Sequence, residues 1–147
     1  MLNKIYQEFS GTYSRAEYVV LSSLPVIFKI DELCTELDQL MDSCHVSLAS
    51  FITACNPKGL PQSDGENVLA MNQLQAAIDD LRLPYFKSFG RDPEGTWKED
   101  SYLIMGIELD QACQLGRLFE QNAIVMLARN MVPKLVWMDE SIKLKGG

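Results

Sequence analysis

Two segments of the chain are apolar at nearly every position, and they constrain the fold more than any other feature. They read YLIMGI at residues 102–107 and AIVML at residues 123–127. A strand that buries one face alternates apolar and polar residues, whereas continuous apolar runs of this length are typical of strands covered on both faces. We therefore expect a β-sheet with other segments of the chain over each of its faces.

The segments around these strands alternate between strand and helix patterns. From residue 46 the order is strand, helix, strand, strand, helix, strand, strand, which is the element string of a ferredoxin-like split β-α-β-β-α-β core with an extra C-terminal strand. The two helix patterns are carried by Met71, Leu74, Ile78 and Leu81, and by Leu109, Ala112, Gly116 and Phe119. The small residues Ala112 and Gly116 would let the second helix lie close to the sheet. The predicted fold class is α+β with a mainly antiparallel sheet.

The chain has 147 residues, which is the usual size of a single domain. We expect residues 46–138 to form the core, residues 1–45 to form an N-terminal helical and extended subregion that packs on the sheet, and residues 139–147 to form a tail. Within the subregion, two short extended segments are broken at Pro25. The helix after them has Asp31 as a plausible N-cap, and its apolar side chains at helical spacing are Leu33, Leu37, Leu40 and Met41.

The charge of the chain limits the partners it can have. Its formal net charge is −7, from thirteen basic and twenty acidic residues, which argues against direct binding to nucleic acid or to an anionic membrane. An acidic protein can still bind a basic protein surface. No run of eighteen apolar residues suggests a membrane span, and the N-terminus lacks the apolar region of a secretory signal. We therefore expect a cytoplasmic protein.

The residues that usually hold metals and phosphates are sparse. The four cysteines form no CxxC pair and His45 is the only histidine, so we expect no zinc site, and we read the cysteines as small buried side chains without disulfides. The glycine-rich phosphate loops and the HExxH metalloprotease motif are absent from the sequence. No cofactor and no metal is therefore predicted.

Polar residues are expected to meet at one end of the sheet because consecutive elements alternate in direction. If residues 46–55 run upward, the next helix begins at the top, the hairpin at residues 90–100 turns there, and the second helix ends there. His45 falls at the opposite end. The residues that this alternation gathers, our candidate ligand- or partner-binding residues, are Asn56, Glu66, Asn67, Trp97, Glu99, Ser101, Gln121 and Asn122.

Most of these residues also have a structural interpretation. Ser63 and Glu66 fit a capping box at a helix start, and Asn56 before Pro57 fits a turn. Trp97 could cover the apolar floor of the hairpin, and the two amides, Gln121 and Asn122, could satisfy a helix C-terminus. Glu99 is the exception, because a carboxylate at a strand entrance helps neither apolar packing nor turn geometry. We interpret it as functional or as a buried hydrogen-bonding group.

Several stretches of the chain together resemble a bacterial family catalogued as domain of unknown function 3293. They are TACNP (53–57), EN (66–67), GRDPEGTWKEDS (90–101), the glycine at 106 and FEQNAIV (119–125). The resemblance spans roughly residues 12 to 137 and implies that the polar positions named above are the family's signature. One departure is Ser88, where the family tends to place glycine, and this residue would stiffen the start of the hairpin.

Three classes of function remain open. A non-enzymatic binding or regulatory domain fits the inventory of amides, an aromatic ring and a carboxylate, which suits a small polar ligand such as a nucleobase. A phage- or plasmid-borne anti-defence inhibitor would bind a basic, nucleic-acid-binding surface of another protein. A carboxylate-based, hydrolase-like enzyme would use Glu66 and Glu99 as acid and base on a small polar or nucleotide-like substrate.

Overall fold

The structure is a computed structural model that describes residues 11–138, of which residues 11–15 are helical. The predicted tail at residues 139–147 and the first ten residues of the predicted N-terminal subregion therefore lie outside the described residues. The further strands and helices are, in chain order, β1 (Glu17–Val20), β2 (Val26–Phe28), α1 (Thr35–Ser43), β3 (Leu48–Ile52), α2 (Asp64–Leu81), β4 (Tyr85–Arg91), β5 (Lys98–Met105), α3 (Leu109–Leu118), β6 (Ala123–Ala128) and β7 (Lys134–Trp137). A short 3-10 turn at Pro57–Gly59 follows β3.

The strands form one seven-stranded sheet in the order β2-β1-β4-β5-β3-β6-β7. Every neighbouring pair in this order is antiparallel. The predicted α+β class with a mainly antiparallel sheet is confirmed. The strands β1 and β2 extend one side of the sheet through the pairing of β1 with β4, so the N-terminal part of the chain contributes strands as well as a helix.

The two apolar runs lie in β5 and β6, and the sheet is covered on both faces as expected. Along β5, Leu103 and Met105 join one buried cluster, which also contains Leu37 and Met41 of α1. Their neighbour Ile104 joins the other cluster, which is formed with α2 and α3. Successive side chains of a strand point to opposite faces, so each central strand contributes to both clusters. We name the two sides of the sheet the α1 face and the α2/α3 face.

The helix α3 lies close to the sheet, as its small residues predict. Ala112 is fully buried, and a Cβ atom built on Gly116 would lie 2.7 Å from Met138 Sδ and 2.9 Å from Ile124 Cγ2. Only a residue without a side chain fits this contact. Leu109, which the helical spacing also assigned to the buried stripe, is 48% exposed at the start of the helix.

The predicted start of α1 is wrong. The helix begins at Thr35 with Cys34 as its N-cap, and Asp31 lies before it in the left-handed region with a φ of 64°. Asp31 is held instead by the turn before β7, because its backbone N–H donates to the carbonyl of Pro133 at 3.0 Å and its carboxylate accepts from Lys134 Nζ at 2.9 Å. Leu33 is consequently outside the helix and 69% exposed.

Among the residues that the structure describes, no helix combines the length and the apolar character needed to cross a bilayer.

Candidate functional site

Three of the predicted residues form a hydrogen-bonded network where β3 ends and β5 begins. Asn56 Nδ2 donates to Glu99 Oε2 at 2.8 Å. Asn56 Oδ1 accepts from Asn67 Nδ2 at 3.1 Å, and Asn67 Oδ1 accepts from the backbone N–H of Asn56 at 2.9 Å. The network therefore joins the segment after β3, the first turn of α2 and the first residues of β5.

Gln62 belongs to the same network, although it was not among the predicted site residues. Its backbone N–H donates to Asn56 Oδ1 at 3.1 Å and its Nε2 donates to Asn67 Oδ1 at 2.7 Å. Asn56 itself has a φ of 48°, in the left-handed region that asparagine tolerates better than most residues. The loop between β3 and α2 is thus organised around Asn56, and the position of Gln62 between two interacting asparagines is the signal that could have identified it.

The hairpin between β4 and β5 holds Trp97 through Asp92. Asp92 Oδ1 accepts from the backbone N–H of Trp97 at 3.0 Å, and its other carboxylate oxygen accepts from the hydroxyl of Thr96. The backbone N–H of Gly95, which has a φ of 77°, donates to the carbonyl of Asp92 at 3.0 Å. These bonds tighten the turn and fix the backbone from which the indole of Trp97 projects.

Trp97 lies over a position that carries no side chain. Gly90 of β4 pairs with Glu99 of β5, and a Cβ atom built on Gly90 would lie 3.7 Å from Trp97 Cζ3 and 3.8 Å from Tyr18 Cδ1. The space above Gly90 is therefore bordered by the rings of Trp97 and Tyr18. Glu99 lies next to that space on the neighbouring strand.

A pocket of about 50 Å³ opens here on the α1 face of the sheet. Its aromatic walls are Tyr13, Tyr18, Phe51 and Trp97, and its polar groups come from Thr53, Glu99, Ser101 and Gln121. One water needs roughly 10–15 Å³ of such a cavity volume. The pocket therefore has room for a few waters or one small polar group. Tyr18 was not among the predicted site residues, because β1 reaches the pocket only through its pairing with β4, which no local pattern indicates.

Glu99 is the one charged side chain among the described residues that line the pocket. Burial raises the pKa of its carboxyl above the ordinary value of 4.5, and the hydrogen bond from Asn56 partly opposes that rise. Burial also raises the pKa of Tyr18, with smaller contributions from Tyr13 and from Glu99. The hydroxyl of Tyr18 donates to the carbonyl of Tyr13 at 2.8 Å, so Tyr18 does not donate to Glu99.

Two more predicted residues line the pocket and are fixed by the backbone. Ser101 is buried, and its hydroxyl donates to the carbonyl of Glu99 at 3.2 Å. Gln121 Nε2 donates to the carbonyls of Cys55 at 3.1 Å and of Phe119 at 3.2 Å. Gln121 thereby ties the end of α3 to the segment after β3. Trp97, Glu99, Ser101 and Gln121 line one pocket, and Asn56 and Asn67 support Glu99 beside it.

Glu66 and Asn122 do not line this pocket. Glu66 forms the capping box that its spacing also predicts, because its Oε1 accepts from the backbone N–H of Ser63 at 3.0 Å and its own N–H donates to Ser63 Oγ at 3.1 Å. Hydrogen bonds from Ser63 lower the pKa of the Glu66 carboxyl. Asn122 is buried, its carbonyl accepts from the backbone N–H of Met138, and within residues 11–138 its Nδ2 has no hydrogen-bond partner.

The cysteine nearest the pocket has the character of a neutral thiol. All four cysteines are free, and burial raises the pKa of the Cys55 thiol, although a hydrogen bond to Thr53 opposes the rise. A thiol whose pKa is raised is a poor nucleophile at neutral pH. Over the described part of the chain, no cluster of three or more His, Cys, Asp or Glu side chains is placed to hold a metal ion.

Comparison with known families assigns part of the chain to an uncharacterised group. Residues 52–124 match the family described as "Protein of unknown function (DUF3293)". The match lies within the wider region, residues 12 to 137, over which the resemblance was expected, and it includes the loop after β3, α2 and the hairpin that carries Glu99. No curated protein and no solved structure matches the chain. The expected resemblance to the family of domain of unknown function 3293 is therefore confirmed over residues 52–124.

Proposed function

We propose that the protein is a binding domain whose Glu99 pocket takes a small polar ligand with a hydrogen-bond donor directed at the carboxylate. One observation carries this proposal: Glu99 is a partly buried carboxylate whose single side-chain partner among the described residues is the neutral amide of Asn56. Burying a charge without a compensating partner is costly. Groups of this kind concentrate at functional sites, where a ligand supplies what the protein does not.

The supporting groups make the pocket suitable for recognition. The network of Asn56, Asn67 and Gln62 fixes one carboxylate oxygen of Glu99. Gln121 uses its Nε2 for two backbone carbonyls, which leaves its side-chain oxygen as a second acceptor. A few fixed polar groups among aromatic walls are typical of small-molecule sites.

We also propose that the core of the sheet has a ferredoxin-like strand order. The strands β3 to β6 lie in the order β4-β5-β3-β6, and α2 and α3 contribute to the same buried cluster. This order supports a ferredoxin-like split β-α-β-β-α-β core, to which β7 and the N-terminal strands are added. The four free cysteines support a reducing, cytoplasmic location.

The two other classes of function have less support. An enzyme with Glu66 and Glu99 as acid and base would need both carboxylates at one site, and Glu66 is engaged in the cap of α2 outside the pocket. An inhibitor that binds a basic protein surface is supported by the net charge of −7 alone. The pocket thus favours the binding domain.

A ligand screen tests the proposal. Thermal unfolding would be followed for the wild-type protein, for Glu99→Gln and for the control Glu94→Gln, with a library of amines, amino acids, nucleobases and nucleosides. Glu94 lies in the same hairpin, is exposed, and does not line the pocket. A ligand at about one hundred times its Kd adds about 2.7 kcal/mol of stability, which would raise the Tm by roughly 5–10 °C.

We expect this rise in the wild type and in Glu94→Gln, and its loss in Glu99→Gln. Equal shifts in all three proteins would place the ligand outside the pocket and contradict the proposal.

A further inference from the structure

We propose that the group which the Glu99 pocket recognises is an organic cation, an alkylammonium or guanidinium head group. The inference rests on the proposed function, and it specifies the charge of the ligand.

The charges that line the pocket favour a cationic ligand. Among the described residues that line it there is one carboxylate, on Glu99, and no lysine, arginine or histidine. Among the described residues, the side-chain partner of that carboxylate is the neutral amide of Asn56. A ligand without charge would leave the carboxylate uncompensated in a partly desolvated site, whereas a cation would neutralise it and form a charge-assisted hydrogen bond.

The aromatic walls of the pocket also favour a cationic ligand. The rings of Tyr18, Phe51 and Trp97 border the pocket, and Tyr18 and Phe51 are held edge to face with their ring centroids 5.1 Å apart. The face of an aromatic ring is negative and attracts ammonium and guanidinium groups, most strongly in tryptophan. A carboxylate beside aromatic rings, with no protein cation among the described lining residues, selects positive charge by two independent interactions.

The size of the pocket limits how much of a ligand can enter it. Its volume of about 50 Å³ suits a head group better than a whole metabolite. The absence of a side chain at Gly90 keeps the space beside Trp97 and Tyr18 open. The cationic head group would therefore enter this space, and the remainder of the ligand would stay outside it.

Binding of matched probes tests the inference. The probes are n-butylammonium and n-butylguanidinium, with n-butanol and n-butylurea as neutral compounds of similar shape. Binding to the full chain would be measured by calorimetry and by the amide resonances of residues that line the pocket. We expect the cations to bind at least about tenfold more tightly than their neutral counterparts.

Two variants identify the carboxylate responsible. Glu99→Gln keeps an oxygen that can accept from Asn56 Nδ2, so it removes the charge with little change of shape. Glu94→Gln removes one negative charge from the same hairpin outside the pocket. We expect Glu99→Gln to lose the preference for cations and Glu94→Gln to retain it.

The same head groups could come from a free metabolite or from a lysine or arginine side chain of a partner protein. Nα-acetyl-lysine N-methylamide and Nα-acetyl-arginine N-methylamide present these head groups on a peptide backbone, with the side-chain cation retained. Tighter binding of these two compounds than of the butyl probes would indicate a protein side chain, and the reverse would indicate a free amine or guanidine.

Each other outcome overturns the inference. The inference is overturned if cations and neutral compounds bind equally, or if neither cation binds. It is also overturned if Glu99→Gln retains the preference for cations. The proposed function fails separately. It survives if a neutral ligand from the screen binds in a Glu99-dependent way, and it falls if neither the screen nor the probes give Glu99-dependent binding.

Discussion

At the scale of single residues, Glu99 is a carboxyl group whose burial disfavours its charged form. Its carboxyl lies beside Tyr18 and Cys55, whose own pKa values are raised by burial, and its side-chain partner among the described residues is Asn56. Neither Tyr18 nor Cys55 titrates in the acid range, so of these three neighbouring groups only Glu99 changes its charge there. Natural proteins commonly accept a loss of stability at a binding site.

Replacement of Glu99 by glutamine is expected to stabilise the protein at neutral pH. Because the pKa of Glu99 is raised in the folded state, the protonated form favours folding, and its contribution is fully present below the ordinary value of 4.5. That contribution is lost as the pH rises through the folded-state pKa. Glu99→Gln should therefore be more stable than the wild type at pH 7, and the difference should shrink as the pH falls below 4.5.

Urea unfolding at a series of pH values measures this difference. Glu94→Gln, an exposed change of the same kind, should follow the wild type throughout. A Glu99→Gln protein less stable than the wild type at pH 7 would show that the carboxylate supports the fold, which would weaken its assignment to a binding site.

At the scale of elements, the contact between α3 and the sheet depends on Gly116. A methyl group there would meet Ile124 Cγ2 at 2.9 Å, and Ile124 is a buried, β-branched residue of a central strand with little room to move. Overpacking of this kind costs about 1–3 kcal/mol, and the better helix propensity of alanine offsets about 1 kcal/mol of it. We expect Gly116→Ala to lower the free energy of unfolding by up to about 2 kcal/mol, measured by urea denaturation.

Gly65 of α2 offers a matched control. A Cβ atom at Gly65 meets no atom within 4 Å, so Gly65→Ala makes the same chemical change in a helix without a clash. It should raise the free energy of unfolding by up to about 1 kcal/mol. If Gly116→Ala raised the free energy of unfolding as much as Gly65→Ala, the inferred close contact between residue 116 and Ile124 would be contradicted.

The helix starts show which elements a sequence can predict. The start of α2 depends on Ser63 and Glu66, which lie three residues apart and satisfy each other's backbone groups, so the local pattern was sufficient. Asp31, the predicted N-cap of α1, is bonded instead to Pro133 and Lys134, which lie about a hundred residues away in the chain, and the helix begins at Thr35. Local propensity favoured Asp31 as an N-cap, and a contact that the sequence does not reveal prevailed.

At the scale of the whole molecule, the same distinction governs the site. The alternation of strand and helix directions was enough to expect Asn56, Asn67 and Glu99 at one end of the sheet, and the structure joins them by hydrogen bonds. The aromatic walls were not predictable, because Tyr18 reaches the pocket through the pairing of β1 with β4. Direction can be deduced from chain order, but strand order requires the long-range pairings themselves.

The sheet also determines how the molecule should unfold. The strands β3, β5 and β6 each contribute alternate side chains to both buried clusters, and β1 joins the same sheet through β4. Neither cluster can therefore separate without disrupting strands that belong to the other. We propose that the chain is a single domain, and we expect it to unfold in one cooperative transition.

Two tryptophans at different places in the sheet make this expectation testable. Trp97 lies in the hairpin between β4 and β5, and Trp137 ends β7, the strand at one edge of the sheet. Variants that retain one tryptophan each, Trp97→Phe and Trp137→Phe, should give fluorescence transitions that coincide with the loss of far-ultraviolet circular dichroism. For 147 residues the unfolding enthalpy near 60 °C should be roughly 100 kcal/mol. An earlier transition at either tryptophan, while the other signal persists, would divide the molecule into two units. The pocket could then open while most of the sheet remains folded, because its walls draw on β1 and β7 as well as on the central strands.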